Sequence, residues 1–554
     1  MLALPKNQWT IVNAVKAQAQ QYGERVFCTF ADGSELTFAG FDRESDALAS
    51  GLANLGVESQ DRVMMLGYNS KAFLITWLAV MKRGAIFVPI NTELKGAFLQ
   101  HQFQNCAPKV IFVDGELRHA LSTIDTSTID TSTIDTNGAD TAGVEVEYTV
   151  LTNPGAAPIT PLARSELRHY ADLAATAGQA DQAVTPVPAD ICTIMYTSGT
   201  TGPSKGVLMP QGHCFLFGHN AARCFAVTAD DVMYICMPLF HAMGLPIQLI
   251  GSLIAGASVH VVRRFSATRW LDDIRACGAT ITFGLGVIPE FIFRQPATPH
   301  DRDHQLRKMV AVPIANEWGA AFEERFGLKL LQGYGMTECN IPSWYSLTDP
   351  LVPGRAGPVI DEHFEVRIVD SQTDELLPIG EVGEIVIRPK QPSCFMAGYF
   401  RMPERTVEAW RNLWFHSGDA GRIDEHGRLY FVDRIKDCIR RRGENISSFE
   451  IEQVLNDHEH VSESAAIGVR VEDAGGEEEV KACIVPIGNH RDPVVLLDWC
   501  AERMPRYAVP RYIEFVSALA KTPTGKLQKQ GFKDAGVTND TWDREAAGYV
   551  IARD

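Results

Sequence analysis

No stretch of this 554-residue chain stays apolar for the roughly 20 residues that a membrane-spanning helix needs. The longest apolar runs are Ala72–Met81, stopped by Lys82 and Arg83, and Leu245–Val262, interrupted by Gln248, Ser252, Ser258 and His260. Both are expected as buried helix or strand. Positive charge is in deficit: 51 Lys and Arg face 68 Asp and Glu, a formal net charge of −17. Such a surface argues against nucleic acid or an anionic membrane as partner, although a pocket can still gather cations around an anionic ligand. The 12 cysteines contain no CxxC pair and no Cys/His spacing of a zinc site. Reduced thiols of a cytoplasmic protein are expected, not a disulfide scaffold. Met1 to Asn13 lacks a basic start, an apolar centre and a small-residue cleavage site, so no secretory signal is expected.

The chain is too long for one hydrophobic core, because cores stop growing near 250–300 residues. Through the first 390 residues, β-branched runs alternate with helical periods. The runs include Val63–Tyr68, Ala85–Pro89, Val110–Val113, Ile191–Tyr196, Val259–Val262 and Ile281–Phe283; helices are expected over Glu44–Leu55 and Phe73–Lys82. This predicts an α/β class, a large N-terminal domain of layered, largely parallel sheets and helices. Beyond about residue 433 the texture changes. Ser447 and Glu450 form a capping-box pattern. Strands are expected at Ala465–Val471, Val480–Ile487 and Tyr512–Val516, and a helix over Asp492–Met504. The expected division is 1–433, a hinge at 434–437, and a smaller mobile α+β domain at 438–554. Ser122–Thr136 reads STIDT three times, a period of neither helix nor strand, and is expected as a surface-loop insertion.

Residues Tyr196 to Val207 carry the strongest chemical signal. An apolar strand runs into Thr197, Ser198, Gly199, Thr200, Thr201 and Gly202, with Lys205 near the end. Small residues let backbone N–H groups close on phosphate oxygens, hydroxyls add donors, and the lysine adds charge. The spacing is not that of a Walker loop. The string TSGTTGPSKG resembles the phosphate-loop signature of the adenylate-forming superfamily: acyl-CoA synthetases, firefly-type luciferases and peptide-synthetase adenylation domains. Four further segments match in order, so the resemblance spans nearly the whole chain.

The resemblance implies a role for each segment. In Gln332–Glu338, Tyr334 (flanked by Gly333 and Gly335) would stack on adenine, Thr337 reach the phosphates and Glu338 hold Mg2+. A flat aromatic suits a purine, and a carboxylate suits a hard cation shared with phosphate oxygens. Asp419, ending Trp414–Asp419, would accept from the ribose hydroxyls, joined by Arg434, with Lys436 at the hinge. Lys526, in Thr522–Lys526, resembles the lysine that bridges carboxylate and α-phosphate during adenylation. Arg440, Arg442, Gly443 and Glu444 would meet coenzyme A after the small domain rotates. Three adjacent arginines are otherwise read as a solvated face.

For the acid, the resemblance points to His241 and Met243 in Phe240–Gly244, to Phe283, Gly284 and Leu285, and to Gly333. His241 stands where amino-acid-activating members commonly carry Asp, which argues against an α-amino acid. Met309–Ala315 lacks the glycine that the family usually carries before its amphipathic helix, here marked by Trp318, Phe322 and Phe326. The texture looks nearest to the carnitine/crotonobetaine and medium-chain acyl-CoA ligases, yet no anionic cluster for a trimethylammonium group is evident. The implied function is an AMP-forming acyl-CoA ligase using ATP, Mg2+, coenzyme A and a small carboxylic acid. A homodimer is an allowed assembly. A stand-alone enzyme loading a carrier protein shares the first step, and a non-catalytic nucleotide-binding module would bind ATP without acid-dependent pyrophosphate release.

Overall fold

Along nearly every central strand, successive residues alternate between two different cores. The computed structural model describes residues 1–551 except 125–145, 154–164, 176–183, 198–202, 286–287, 313, 315–318, 346, 351, 353–354, 435–437, 442–443, 472–477 and 520–528. At 153, 432–434, 438, 440, 444–445, 447, 449, 453 and 530 it describes the backbone alone. The STIDT repeat beyond Ile124 therefore lies outside the described residues.

Two sheets dominate the N-terminal part. A seven-stranded sheet runs in the order Lys329–Leu331, Lys308–Val312, Ile281–Leu285, Val232–Ile235, Ser258–Val261, Val26–Phe30, Glu35–Thr37. An eight-stranded sheet runs Gly398–Tyr399, Lys205–Pro210, Ile191–Thr197, Ile86–Pro89, Arg62–Leu66, Val110–Asp114, Tyr148–Asn153, Glu166–His169. Helices Ile11–Tyr22, Phe38–Asn54, Lys71–Lys82 and Gln211–Cys224 fill the layer between them, in one core that takes Val63 and Met65 from one sheet and Met233 and Ile235 from the other. Strand period two sends the intervening residues outward. Tyr234 and Met309 join Trp270, Phe322 and Phe326 on the outer face of the first sheet. Met64, Leu66 and Ile111 face the C-terminal part from the second.

The expected elements are present with small shifts of their ends. Helix Phe38–Asn54 starts earlier than its apolar period suggested, because Thr37 caps it by accepting from Gly40 N–H at 2.8 Å. Helix Gly319–Phe326 buries Phe322 and Phe326; Trp318 lies outside the described residues. The run Leu245–Val262 becomes a π-helical segment, Met243–Ile250, a short helix and a strand. The expectation of largely parallel sheets needs one correction. Residues 355–434 build a five-stranded, wholly antiparallel sheet: Arg355–Pro358, Arg428–Arg434, Phe415–Ile423, Gly383–Pro389, Phe364–Val369. Short connections such as Asp424–Gly427 permit antiparallel pairing without a helical crossover.

The smaller C-terminal part carries the four-stranded sheet Val461–Arg470, Glu478–Pro486, Tyr512–Phe515, Trp542–Asp543, with helices Ser448–Asn456 and Pro493–Arg503. Ile451, Val454, Leu497 and Val509 share a core with Phe98, Leu99 and Phe103 of helix Gly96–Cys106. Burying each such side chain contributes about 1.5–3 kcal/mol. Arg441 corrects the reading of three solvated arginines: it is 2% exposed, its Nε lies 2.7 Å from Glu479 Oε2, and its Nη1 donates to Tyr507 O at 2.7 Å. Alternation along strand Cys438–Arg441 turns it inward. Among the described residues, no helix is long and apolar enough to cross a membrane.

Candidate active site

Strand Ile191–Thr197 and strand Lys205–Pro210 form a hairpin whose last registered pair is Thr197 and Lys205. The glycine-rich segment of the sequence therefore closes a hairpin. Ser198 to Gly202 themselves lie outside the described residues. At the hairpin neck, Thr197 Oγ1 donates to Glu338 Oε1 at 3.3 Å, and Tyr399 Oη donates to the same oxygen at 3.1 Å. Burial first, then the Glu338 charge, pushes the Tyr399 phenol up, so it stays a donor. The Lys205 ammonium lies 4.2 Å from the centre of the Tyr399 ring, an attractive cation–π geometry. Tyr399 thus links the loop lysine to the buried carboxylate. Its own segment, Gly398–Tyr399, adds an edge strand beside Val207 and Leu208. Nothing in its local sequence marks that role.

Glu338 arrives from the opposite sheet. Strand Lys329–Leu331 leads into Gly333–Met336, which pairs with Asn340–Trp344 as a tight hairpin. Gly335 is required there, because a Cβ would stand 2.4 Å from Asn340 O. Beneath the hairpin, His213 is buried, and burial pushes it down to about 4. A neutral imidazole with one N–H must give that proton to the Thr337 carbonyl, 2.9 Å from Nε2, leaving Nδ1 to accept from Asn340 Nδ2 at 3.3 Å. The sequence offered no sign of this support, since His213 lies over a hundred residues from its partners.

Asp419 approaches from the antiparallel sheet. Its Oδ2 accepts from Tyr334 Oη at 2.9 Å, and its cross-strand neighbour is Arg434. Burial, then the Asp419 charge, holds the Tyr334 phenol well above its ordinary value. Phe431 stacks at 6.2 Å on the Tyr334 ring. The loop before Asp419 is held by Glu384, which accepts from Gly418 N–H at 3.0 Å through Oε1 and lies 3.0 Å from His416 Nδ1 through Oε2. Glu384 is another supporting residue without a sequence signal.

These segments open on one cleft of about 910 Å³. Thr197, Lys205, Gly333, Tyr334, Gly335, Thr337, Glu338 and Asp419 line it, together with His241, Met243, Phe283 and Leu285. Gly244 closes the His241 segment against Pro238, whose carbonyl would stand 2.3 Å from any added Cβ. Gly284 is turned to the other face of its strand, where a Cβ would meet Met309 Cε at 2.5 Å. Lys436, Arg442, Gly443 and Lys526 lie outside the described residues, and Arg434, Arg440 and Glu444 are described by backbone alone.

Glu450 reaches the cleft from the C-terminal part, its Oε1 accepting from Ser204 N–H at 2.6 Å. Helix Ser448–Asn456 begins where the capping pattern predicts, but this glutamate also touches the segment just before Lys205. Burial pushes its carboxyl up to about 7, against the bonds from Ser204.

Residues 15–400 match the model of the AMP-binding enzyme family, and residues 450–526 match that of the AMP-binding enzyme C-terminal domain. The chain belongs to the AMP-binding enzyme family. This AMP-binding enzyme is 29% identical over 525 residues to a crotonobetaine/carnitine–CoA ligase of Salmonella typhi, covering 93% of this chain and 97% of the relative. It is 30% identical over 515 residues to the ligase of the same name from Salmonella typhimurium, covering 90% and 93%. Among solved structures, it resembles ATP-bound MatB from Rhodopseudomonas palustris, with a TM-score of 0.65, 25% identity and coverage of 95% and 98%. The o-succinylbenzoate CoA synthetase of Bacillus subtilis shares the fold, with a TM-score of 0.77, 24% identity and coverage of 96% and 99%.

Proposed function

We propose that this enzyme is an AMP-forming acid–thiol ligase that joins a carboxylic acid to coenzyme A. One observation carries the reading. A single cleft unites a hairpin lysine, a buried carboxylate held by two hydroxyls, an aromatic–aspartate pair and an apolar compartment. In the first step a carboxylate oxygen attacks the α-phosphorus of ATP, and the bond to the β-phosphate oxygen breaks, releasing pyrophosphate. In the second, the thiol sulfur attacks the acyl carbon, the acyl–phosphate C–O bond breaks, AMP leaves and the thiol proton goes to solvent. Thr197 and Lys205 serve the phosphates, Tyr334 the adenine and Asp419 the ribose, with Arg434 beside it. Lys526 stabilises charge at the α-phosphate, and Arg440, Arg442, Gly443 and Glu444 serve coenzyme A.

Magnesium fits the donor set. Glu338 Oε1 takes the bonds from Thr197 and Tyr399, and its second oxygen would be the ligand. One carboxylate completed by phosphate oxygens is the usual environment for this ion. Bound there, Mg2+ would neutralise phosphate charge. Cytoplasmic placement is supported by the free thiols among the described cysteines.

The decisive experiment measures pyrophosphate release over a panel of carboxylic acids, with and without coenzyme A. Acid-dependent release, with AMP release accelerated by coenzyme A, is expected. AMP release that needs a holo-carrier protein instead would establish the carrier-loading alternative.

The two steps present different transition states to one site, which favours a C-terminal domain that rotates about 434–437. The Glu450–Ser204 contact belongs to one arrangement. In that arrangement the carboxyl is raised to about 7, against an ordinary 4.5 when solvated. The packed arrangement therefore holds a proton more tightly. Its advantage is complete below about 4.5 and is lost as pH rises to about 7. Fluorescence transfer between labels on the two domains should report less packing at pH 7.5 than at pH 5. Glu450→Gln should flatten that profile; an unchanged profile would assign the dependence elsewhere.

A further inference from the structure

The apolar end of the cleft is built from three elements that each turn hydrophobic side chains inward. Strands Ile281–Leu285 and Lys308–Val312 pair in register, Phe283 beside Val310 and Leu285 beside Val312, and all four line the cleft. From the helix layer, Phe217 and Phe225 close the other side. Phe225 meets Phe283 edge to face at 5.0 Å and 88°. The nearest amides are already engaged. Gln332 Nε2 donates to Arg355 O at 2.6 Å, and Asn340 Nδ2 donates to His213 O at 3.1 Å.

Carboxylates do line the cleft, but elsewhere. Glu338 is bound by Thr197 and Tyr399, Glu384 by Gly418, Asp419 by Tyr334 and Glu450 by Ser204, while Glu404 and Glu408 belong to helix Pro403–Ala409. Among the described residues, none stands on the strands or helix that wall the apolar end. A buried cation, close to the Asp231 carboxylate, stands on one of these strands. Lys308 lies two residues before Val310 on the same strand face, roughly 7 Å along the strand. Its ammonium donates to Phe225 O at 2.6 Å and Ala226 O at 2.8 Å, which also fixes the Phe225 wall.

We propose that the acid is an uncharged arylcarboxylic acid, not a quaternary-ammonium acid of the kind in the names of the Salmonella relatives. The proposal rests on reading the cleft as an acid-activation site. A cationic acyl group would lose its hydration against Phe225, Phe283 and Val310, and among the described residues no carboxylate on those elements compensates it. Phenylalanine faces alone compensate such a charge weakly, tryptophan being the better partner. A flat ring loses nothing on leaving water and gains offset and edge contacts with Phe225 and Phe283.

Acylsulfamoyl-adenosines, which mimic the acyl-adenylate without reacting, test this apart from turnover. Titration calorimetry on the full-length enzyme would compare a benzoyl analogue, a trimethylammonio-butanoyl analogue and AMP. The benzoyl analogue should bind about 100-fold more tightly than the cationic one. A Val310→Phe variant should lose about 10-fold or more for the benzoyl analogue while keeping its AMP affinity, which certifies its fold. Equal binding of the two analogues, tighter binding of the cationic one, or a benzoyl affinity indifferent to Val310→Phe overturns the aryl assignment and leaves acid activation standing. Failure to bind AMP or ATP at all overturns the activation reading, and the aryl assignment falls with it.

Discussion

Lys526→Ala is expected to lower acid-dependent pyrophosphate release by about 10²–10³-fold or more, while thioester formation from supplied acyl-AMP continues near the wild-type rate. The split follows from where charge develops. In adenylation the carboxylate gives up charge as its oxygen bonds to phosphorus, while negative charge grows on the non-bridging oxygens of the pentavalent α-phosphorus and on the departing pyrophosphate with no proton to relieve it, so a positioned ammonium is needed there. In thioester formation AMP is already the leaving group, and the demand moves to the acyl carbon and the thiol. Lys529 is tied to helix Ser448–Asn456, its Nζ 2.6 Å from Glu452 Oε1 and donating to Ser448 Oγ at 2.7 Å. The same helix supplies Glu450, which touches the segment just before Lys205. Rapid-quench measurement of each half-reaction is the check. Loss of both, or of neither, would remove Lys526 from its assigned step.

Asp419→Ala should impair both half-reactions, which sets it apart from Lys526. Two charge-assisted bonds to ribose hydroxyls contribute about 1.5–3 kcal/mol each, so their loss weakens nucleotide binding by roughly 10²–10⁴-fold. A second cost adds to this. Tyr334 Oη donates to Asp419 Oδ2 at 2.9 Å inside a buried setting, and alanine removes that acceptor, leaving the hydroxyl Ser417 and the weaker Met336 Sδ at 3.7 Å. The ring proposed for adenine would then lose its charged anchor. Asp419→Asn keeps an acceptor for Tyr334 and should fall between alanine and wild type. Equilibrium titration with ATP and with AMP separates these cases. A full-strength AMP affinity in the alanine variant would show that the ribose lies elsewhere.

Glu384 and Tyr399 illustrate why the site was only partly legible beforehand. The segments proposed to meet the nucleotide carry a clear sequence signal, because backbone approach, charge and aromatic area constrain residue type over several consecutive positions. Supporting residues do not share that constraint. Tyr399 serves Glu338 across 61 positions and Lys205 across nearly two hundred, so neither periodicity nor local composition marks it. His213 likewise stands in a helix whose burial it shares with apolar neighbours. Glu450 was legible as a helix-start residue but not as a partner of Ser204. The antiparallel sheet over 355–434 lacks a clear sequence signal because strands such as Phe364–Val369 and Phe415–Ile423 are half-buried and lack the continuous apolar runs of the parallel sheets.

Taken alone, the order of residues determined the α/β class and the boundaries of most elements, and through the motifs Thr197–Lys205, Gln332–Glu338 and Trp414–Asp419 it pointed to a nucleotide-activating chemistry. Those follow from local rules: hydrophobic period, turn chemistry and the residue types that phosphate and purine demand. The tertiary structure decided what depends on which faces meet. It turned Gly284 away from the cleft and Phe283 into it, buried Arg441 against Glu479, and placed Glu450 on the segment just before Lys205. It also gathered Phe217, Phe225, Phe283 and Val310 from three separate elements into one apolar wall. Such a wall is a property of packing, in which strand register and helix docking select one side of each element, and no single segment of the chain contains it.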